Sequence, residues 1–123
     1  MARRAALFAA LGLGLAAAAT GLAQAADPVA LRGAQVYRTR CALCHGRAGD
    51  GHGAGAAGLD PKPSDFTRTD FWARATPEGL AAVVRQGRPG TAMPAFKDLS
   101  DADLQAVIQA LAAFQPAAPA PTP

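Results

Sequence analysis

The clearest periodicity lies near the C-terminus. Leu104, Val107, Ile108, Leu111 and Phe114 recur at intervals of three and four, with mostly polar or small residues between them. That pattern is one apolar stripe along a helix. Ser100 precedes it as an N-cap, and Asp103 three positions on makes a near-capping box. A shorter stripe of Leu80, Val83 and Val84 follows Thr76-Pro77-Glu78 and stops at Gly87, which predicts a second helix. Upstream, Asp27-Pro28 reads as an N-cap followed by proline at the first helical position. From there "VALRGAQVYRTRCALC" places Leu31, Ala34 and Val36/Tyr37 at helical spacing, up to the cysteines. "TDFWAR", residues 69–74, fits one more helical turn. Strand-like alternation is missing from the chain, so the expected fold class is all-α.

Between these stripes the pattern fails. "HGRAGDGHGAGAAGLDPKPSDF", residues 45–66, is rich in Gly, Ala and Pro and reads as an irregular loop. "GTAMPAF", residues 90–96, is a second loop. "QPAAPAPTP", residues 115–123, is an extended, flexible Pro/Ala tail with nothing to bury. Loops this long are unusual in a compact domain unless they wrap something or are functional. Three short helices and two wrapping loops imply a centre supplied by a cofactor.

The first 25 residues follow another logic. Arg3 and Arg4 lead an uncharged Ala/Leu/Gly run that ends in small residues around Ala23-Gln24-Ala25. A secretory signal cleaved near Ala25 has this layout. A retained membrane anchor is the rival reading, but the run is alanine-rich, weakly apolar and broken by Thr20, Gly21 and Gln24. Cleavage changes the charge. Lys+Arg falls from 12 to 10 against 9 acidic residues, so the net balance drops from +3 to +1. The remaining basic residues are scattered, which gives no case for nucleic-acid binding. The expected organisation is a leader at 1–25, one exported domain at 26–114 and a tail at 115–123.

A domain of that size buries only a modest core, and small exported domains often need a covalent or metal brace. The two cysteines, Cys41 and Cys44, are too close for a disulfide between them to constrain much chain. They stand in "CALCH", residues 41–45, and C-x-x-C-H is an attachment signal for c-type haem. Two sulfurs three residues apart at a helix end face one side, as two thioether bonds to one porphyrin require. His45 follows at once, where its imidazole becomes the proximal iron ligand. A thioredoxin-like redox pair would want strands around it, and zinc would need a fourth ligand that only carboxylates could offer. An export signal strengthens the haem reading, because c-type haem is attached outside the cytoplasm.

Met93 is the sole methionine after residue 25 and lies 48 residues beyond His45. It sits in a loop before Pro94, where the bland reading is a gap-filling core side chain. Beside a C-x-x-C-H motif, a thioether there reads as the second axial ligand, which raises the reduction potential. His52 competes for that position but comes only seven residues after His45, so it is expected to be an exposed loop histidine. "GRAGDGHGAGAAG" lacks the Lys-Ser/Thr ending and the preceding strand of a phosphate loop. Its glycines let backbone pass close to a flat ring.

From about Gly33 to Phe114 the chain resembles the class I mono-haem cytochromes c, in particular short exported bacterial forms and oxidase-associated cytochrome c domains. The likeness rests on "CALCH", the "GDG" at 49–51, the "DF" at 65–66, the "FW" at 71–72 and the "MPAF" at 93–96. It implies the cytochrome c fold, with Gly33 and Tyr37 of the first helix crossing Leu104, Ile108 and Leu111 of the last. It also implies one covalent haem c on Cys41 and Cys44, iron ligands His45 and Met93, and Phe66, Trp72, Val84 and Phe96 on or near the ring. Many relatives use a proline carbonyl after the glycine loop to hold the axial histidine. The matching position here is Ala54, a departure from that pattern. The implied function is a periplasmic one-electron carrier of a respiratory chain, not an enzyme and without a small-molecule substrate. It would meet redox partner proteins through a small, short-lived interface, and membranes only through a membrane-bound partner. The alternative is a haem subunit of a dehydrogenase or terminal oxidase complex.

Overall fold

Helix starts follow the caps written in the sequence. The computed structural model describes residues 25–118, with five α-helices: α1 (Pro28–Arg40), α2 (Ala42–His45), α3 (Thr69–Trp72), α4 (Pro77–Gln86) and α5 (Asp101–Leu111). The side chains of Asp27, Thr76 and Ser100 accept from the N–H groups of Val29, Gly79 and Asp103. Each satisfies a donor that a helix start leaves unpaired. α4 ends at Gly87, whose φ of 71° suits glycine. Among the described residues there is no strand. Apart from Ala25, the expected leader lies outside the described residues, as do residues 119–123 of the tail.

The core forms where α1 crosses α5. Val36 and Tyr37 from α1 meet Leu104, Val107, Ile108 and Leu111 from α5, and Phe66, Val84 and Leu99 complete the cluster. Val107 is the most deeply buried of these, at 1% exposure. Each such side chain contributes roughly 1.5–3 kcal/mol by leaving water. The crossing is close because Gly33 has no side chain: a Cβ there would overlap the Ala106 carbonyl and press on Ala110. At the rim, Arg32 grips both oxygens of Asp103 at 2.6 and 2.7 Å. That pair is solvent-exposed, so it sets register more than stability.

Four expectations need adjustment. The first helix does not run through the cysteines but breaks at Cys41 (φ −120°, ψ −36°), and α2 begins again at Ala42. Leu31 is 59% exposed and takes no part in the core. The long glycine loop contains one ordered 3-10 turn, Ala54–Ala56, and α5 tightens into another, Ala112–Phe114. Asp103 does not complete a capping box, because its carboxylate is engaged by Arg32.

Candidate functional site

The site grows from the break at Cys41. The Cys41 N–H still donates to Tyr37 in α1, while its carbonyl receives Cys44 N–H at 3.2 Å and His45 N–H at 2.9 Å. One residue thus closes α1 and opens the turn that carries both sulfurs and the imidazole. Both cysteines are half-buried. The C-x-x-C-H spacing supplies the two sulfurs to which a c-type haem would bond. Burial pushes the Cys41 thiol up to about 11, with Arg40 opposing.

The loop then folds back and caps this turn. Gly51 N–H donates to the His45 carbonyl at 2.9 Å and Gly53 N–H to the Cys44 carbonyl at 3.0 Å. Gly53 has to be small: a Cβ there would overlap the Leu43 carbonyl. The Tyr37 hydroxyl donates to the Gly46 carbonyl at 2.7 Å and binds the turn to α1.

His45 is held on two sides. Its Nδ1 lies 3.1 Å from the Ser64 carbonyl, and the Phe66 ring stacks on it at 4.6 Å and 15°. A carbonyl can only accept, so Nδ1 carries the proton and Nε2 keeps its lone pair. Burial lowers the imidazole pKa, partly opposed by the Ser64 bond, which favours the neutral ring a metal needs. Among the described residues Nε2 has no hydrogen-bond partner, yet no buried side-chain nitrogen or oxygen there is left unsatisfied, so the Nε2 lone pair is accessible. The orienting carbonyl belongs to Ser64, not Ala54. Ala54 lies in the 3-10 turn, whereas Ser64 follows Pro61 and Pro63 on the strand of loop that returns past His45. The proline-rich "DPKPSDF" was the available signal for an extended return.

Met93 is half-buried against the core cluster that Cys41 also touches. Its N–H donates to the Thr91 hydroxyl at 3.2 Å and its carbonyl accepts from Arg88 N–H at 3.1 Å. Phe96 N–H donates to Val84 at 2.9 Å and closes the loop on α4. These hydrogen bonds hold the loop that carries Met93. His52 is exposed, with Nδ1 2.8 Å from the Asp50 carbonyl. Phe66 and Val84 lie in the core; Trp72 and Phe96 pack on it half-buried. The role of Trp72 as a hydrogen-bond donor, to the Phe66 carbonyl at 2.6 Å, had no sequence signal.

Residues 28–109 match the family described as cytochrome c oxidase, cbb3-type, subunit III. The chain belongs to this family. Among solved structures it resembles a chain of the Kuenenia stuttgartiensis reducing HAO-like protein complex Kustc0457/Kustc0458. That match has 27% identity and a TM-score of 0.60 over 68% of this chain, and spans 41% of the other. It also resembles the KustC0563 c-type cytochrome at 22% identity and a TM-score of 0.56, covering 68% of this chain and 96% of that one; at such identity the likeness establishes the fold alone. No curated protein matches.

The fold is therefore that of a mono-haem cytochrome c, with a covalent haem c for which Cys41 and Cys44 supply the attachment motif, and the domain's work is haem-based electron transfer. The residues fit that group. Phe71, Trp72, Leu80, Met93 and Phe96 rest on the core yet stay only half-covered. This is apolar surface that the polypeptide does not itself close, and a flat apolar ring suits it. His45 offers an oriented nitrogen and Met93 a soft sulfur, the donor types that haem iron accepts.

Proposed function

We propose that this chain is a periplasmic one-electron carrier that binds haem through Cys41 and Cys44 and ligates its iron with His45 and Met93. On this reading residues 1–25 are removed on export near Ala25, residues 26–114 form the cytochrome domain and residues 115–123 lie beyond it. The observation that carries it is the state of His45: one nitrogen committed to the Ser64 carbonyl, the other accessible and without a partner among the described residues.

When bound, haem supplies an iron that alternates between ferric and ferrous states. The chain's own contribution is fixed orientation. Ser64 and Phe66 hold the imidazole plane, and the Arg88–Thr91–Met93 hydrogen bonds hold the loop that presents the thioether. Were His45 and Met93 both to hold the iron, no coordination site would be left for a substrate, which supports reading the chain as a carrier and not an enzyme. Among the described residues no helix is long and apolar enough to cross a membrane.

A visible spectrum of the ferric holoprotein tests the ligand set. His/Met ligation gives a low-spin spectrum with a thioether charge-transfer band. Met93→Ala should abolish that band, leave haem attached and lower the potential. A band unchanged by the substitution would refute ligation by Met93.

A second reading has its own support. The matched family is described as an oxidase subunit, and one of the similar chains belongs to a reducing HAO-like protein complex. Redox protein partners follow from either reading. Size-exclusion of native extract, followed by haem absorbance, separates a free carrier from a bound haem subunit.

A further inference from the structure

The segment that orients His45 has no secondary structure of its own. Residues 60–65 form neither helix nor strand, yet Ser64 must hold its carbonyl within a few tenths of an ångström. Its bond to Nδ1, at 3.1 Å, is near the long end of the normal range, so a small retreat would break it. The fixed point is Phe66, two residues on. Phe66 N–H donates to the Gly49 carbonyl at 2.7 Å, and its carbonyl accepts the Trp72 indole N–H at 2.6 Å. Its ring lies flat on His45. Phe66 is therefore clamped from both ends of its own backbone, and one jaw is a side chain.

α3, which carries that side chain, is a single turn of four residues and cannot stand alone. Phe71 wedges it, edge-on to Phe66 at 5.1 Å and to Trp72 at 5.2 Å. The aromatic contacts give α3 its place. The indole N–H gives it a directional grip on the segment bearing Ser64.

We infer that Trp72 is a positioning residue for His45, holding the Phe66 carbonyl so that Ser64 keeps its hydrogen bond to the imidazole. The inference rests on the ligation of iron by His45. A carbonyl accepting from Nδ1 makes the opposite nitrogen a stronger donor, which favours ferric iron. Loosening that bond weakens the donor, and the reduction potential rises.

Trp72 is the sole tryptophan, so replacing tryptophan throughout with benzothienylalanine exchanges one indole N–H for sulfur at nearly constant shape. This protein and Trp72→Phe are compared with wild type in the holo form, by voltammetry and by proton NMR of the axial histidine Nδ1–H. Expected are a higher potential and Nδ1–H exchange faster by up to about tenfold, the equivalent of one ordinary hydrogen bond. The benzothienyl protein decides the matter if Trp72→Phe does not fold. An unchanged potential and unchanged exchange in it overturn the role of Trp72. Absence of an axial-histidine signal in wild type would instead sink ligation by His45, and this inference with it.

Discussion

The hydroxyl of Tyr37 reaches nine residues along the chain to the Gly46 carbonyl, 2.7 Å away, and so ties the α1–α5 crossing to the residue that follows His45. Core packing and ligand placement meet in that one bond. Tyr37→Phe keeps the ring contacts with Phe66 and Phe114 and leaves the carbonyl without its donor. A loss of about 1 kcal/mol is expected in denaturant unfolding of the holoprotein. Burial raises the Tyr37 pKa, and it is the sole tyrosine. In an alkaline titration, tyrosinate absorbance should therefore appear only with unfolding; an ordinary phenol titration in the folded protein would contradict the bond.

Gly33 decides how closely α1 and α5 approach. Gly33→Ala adds helix propensity of about 1 kcal/mol, but its methyl would overlap the Ala106 carbonyl. The overlap should win, for a net loss of about 1–2 kcal/mol in the unfolding midpoint of the holoprotein. Gly79→Ala in α4 meets only the Thr76 hydroxyl, at 3.1 Å, and should be neutral or stabilising. Equal effects at both positions would argue against a tight crossing.

Acid should act through the Arg32–Asp103 pair. Arg32 holds the Asp103 carboxyl below its ordinary value, so the folded pKa lies under the unfolded one. The pair's contribution is then complete above the ordinary carboxylate range and fades as pH falls through the folded value. Denaturant midpoints of wild type and Arg32→Gln should differ at neutral pH and converge in acid. A gap that persists at the lowest pH would show that Arg32 acts by packing its stem.

Either sulfur is expected to be necessary for stable attachment. Cys41→Ala and Cys44→Ala should each reduce haem retained after denaturing electrophoresis, and folding of the chain with it. Full retention in both variants would mean that the haem is not covalently held. Mass spectrometry of the purified wild-type holoprotein provides the reference, the polypeptide plus one haem.

The sequence by itself determined the features that depend on near neighbours. The caps at Asp27, Thr76 and Ser100, the stripe from Leu104 to Leu111 and the cysteine–histidine spacing are local, because a helical turn relates residues three and four apart. Those patterns were enough to read an all-α domain of the cytochrome c class. Tertiary structure alone decided what joins distant segments. The break at Cys41 has no breaker residue to announce it. The carbonyl on His45 comes from Ser64, 19 residues away, and not from Ala54, because the returning loop and not the glycine turn passes the ring. Trp72 holds Phe66 through a backbone carbonyl, an acceptor every residue possesses, so the sequence could not single it out. Side-chain type and spacing are written residue by residue; which backbone group faces them is fixed only when the chain closes on itself.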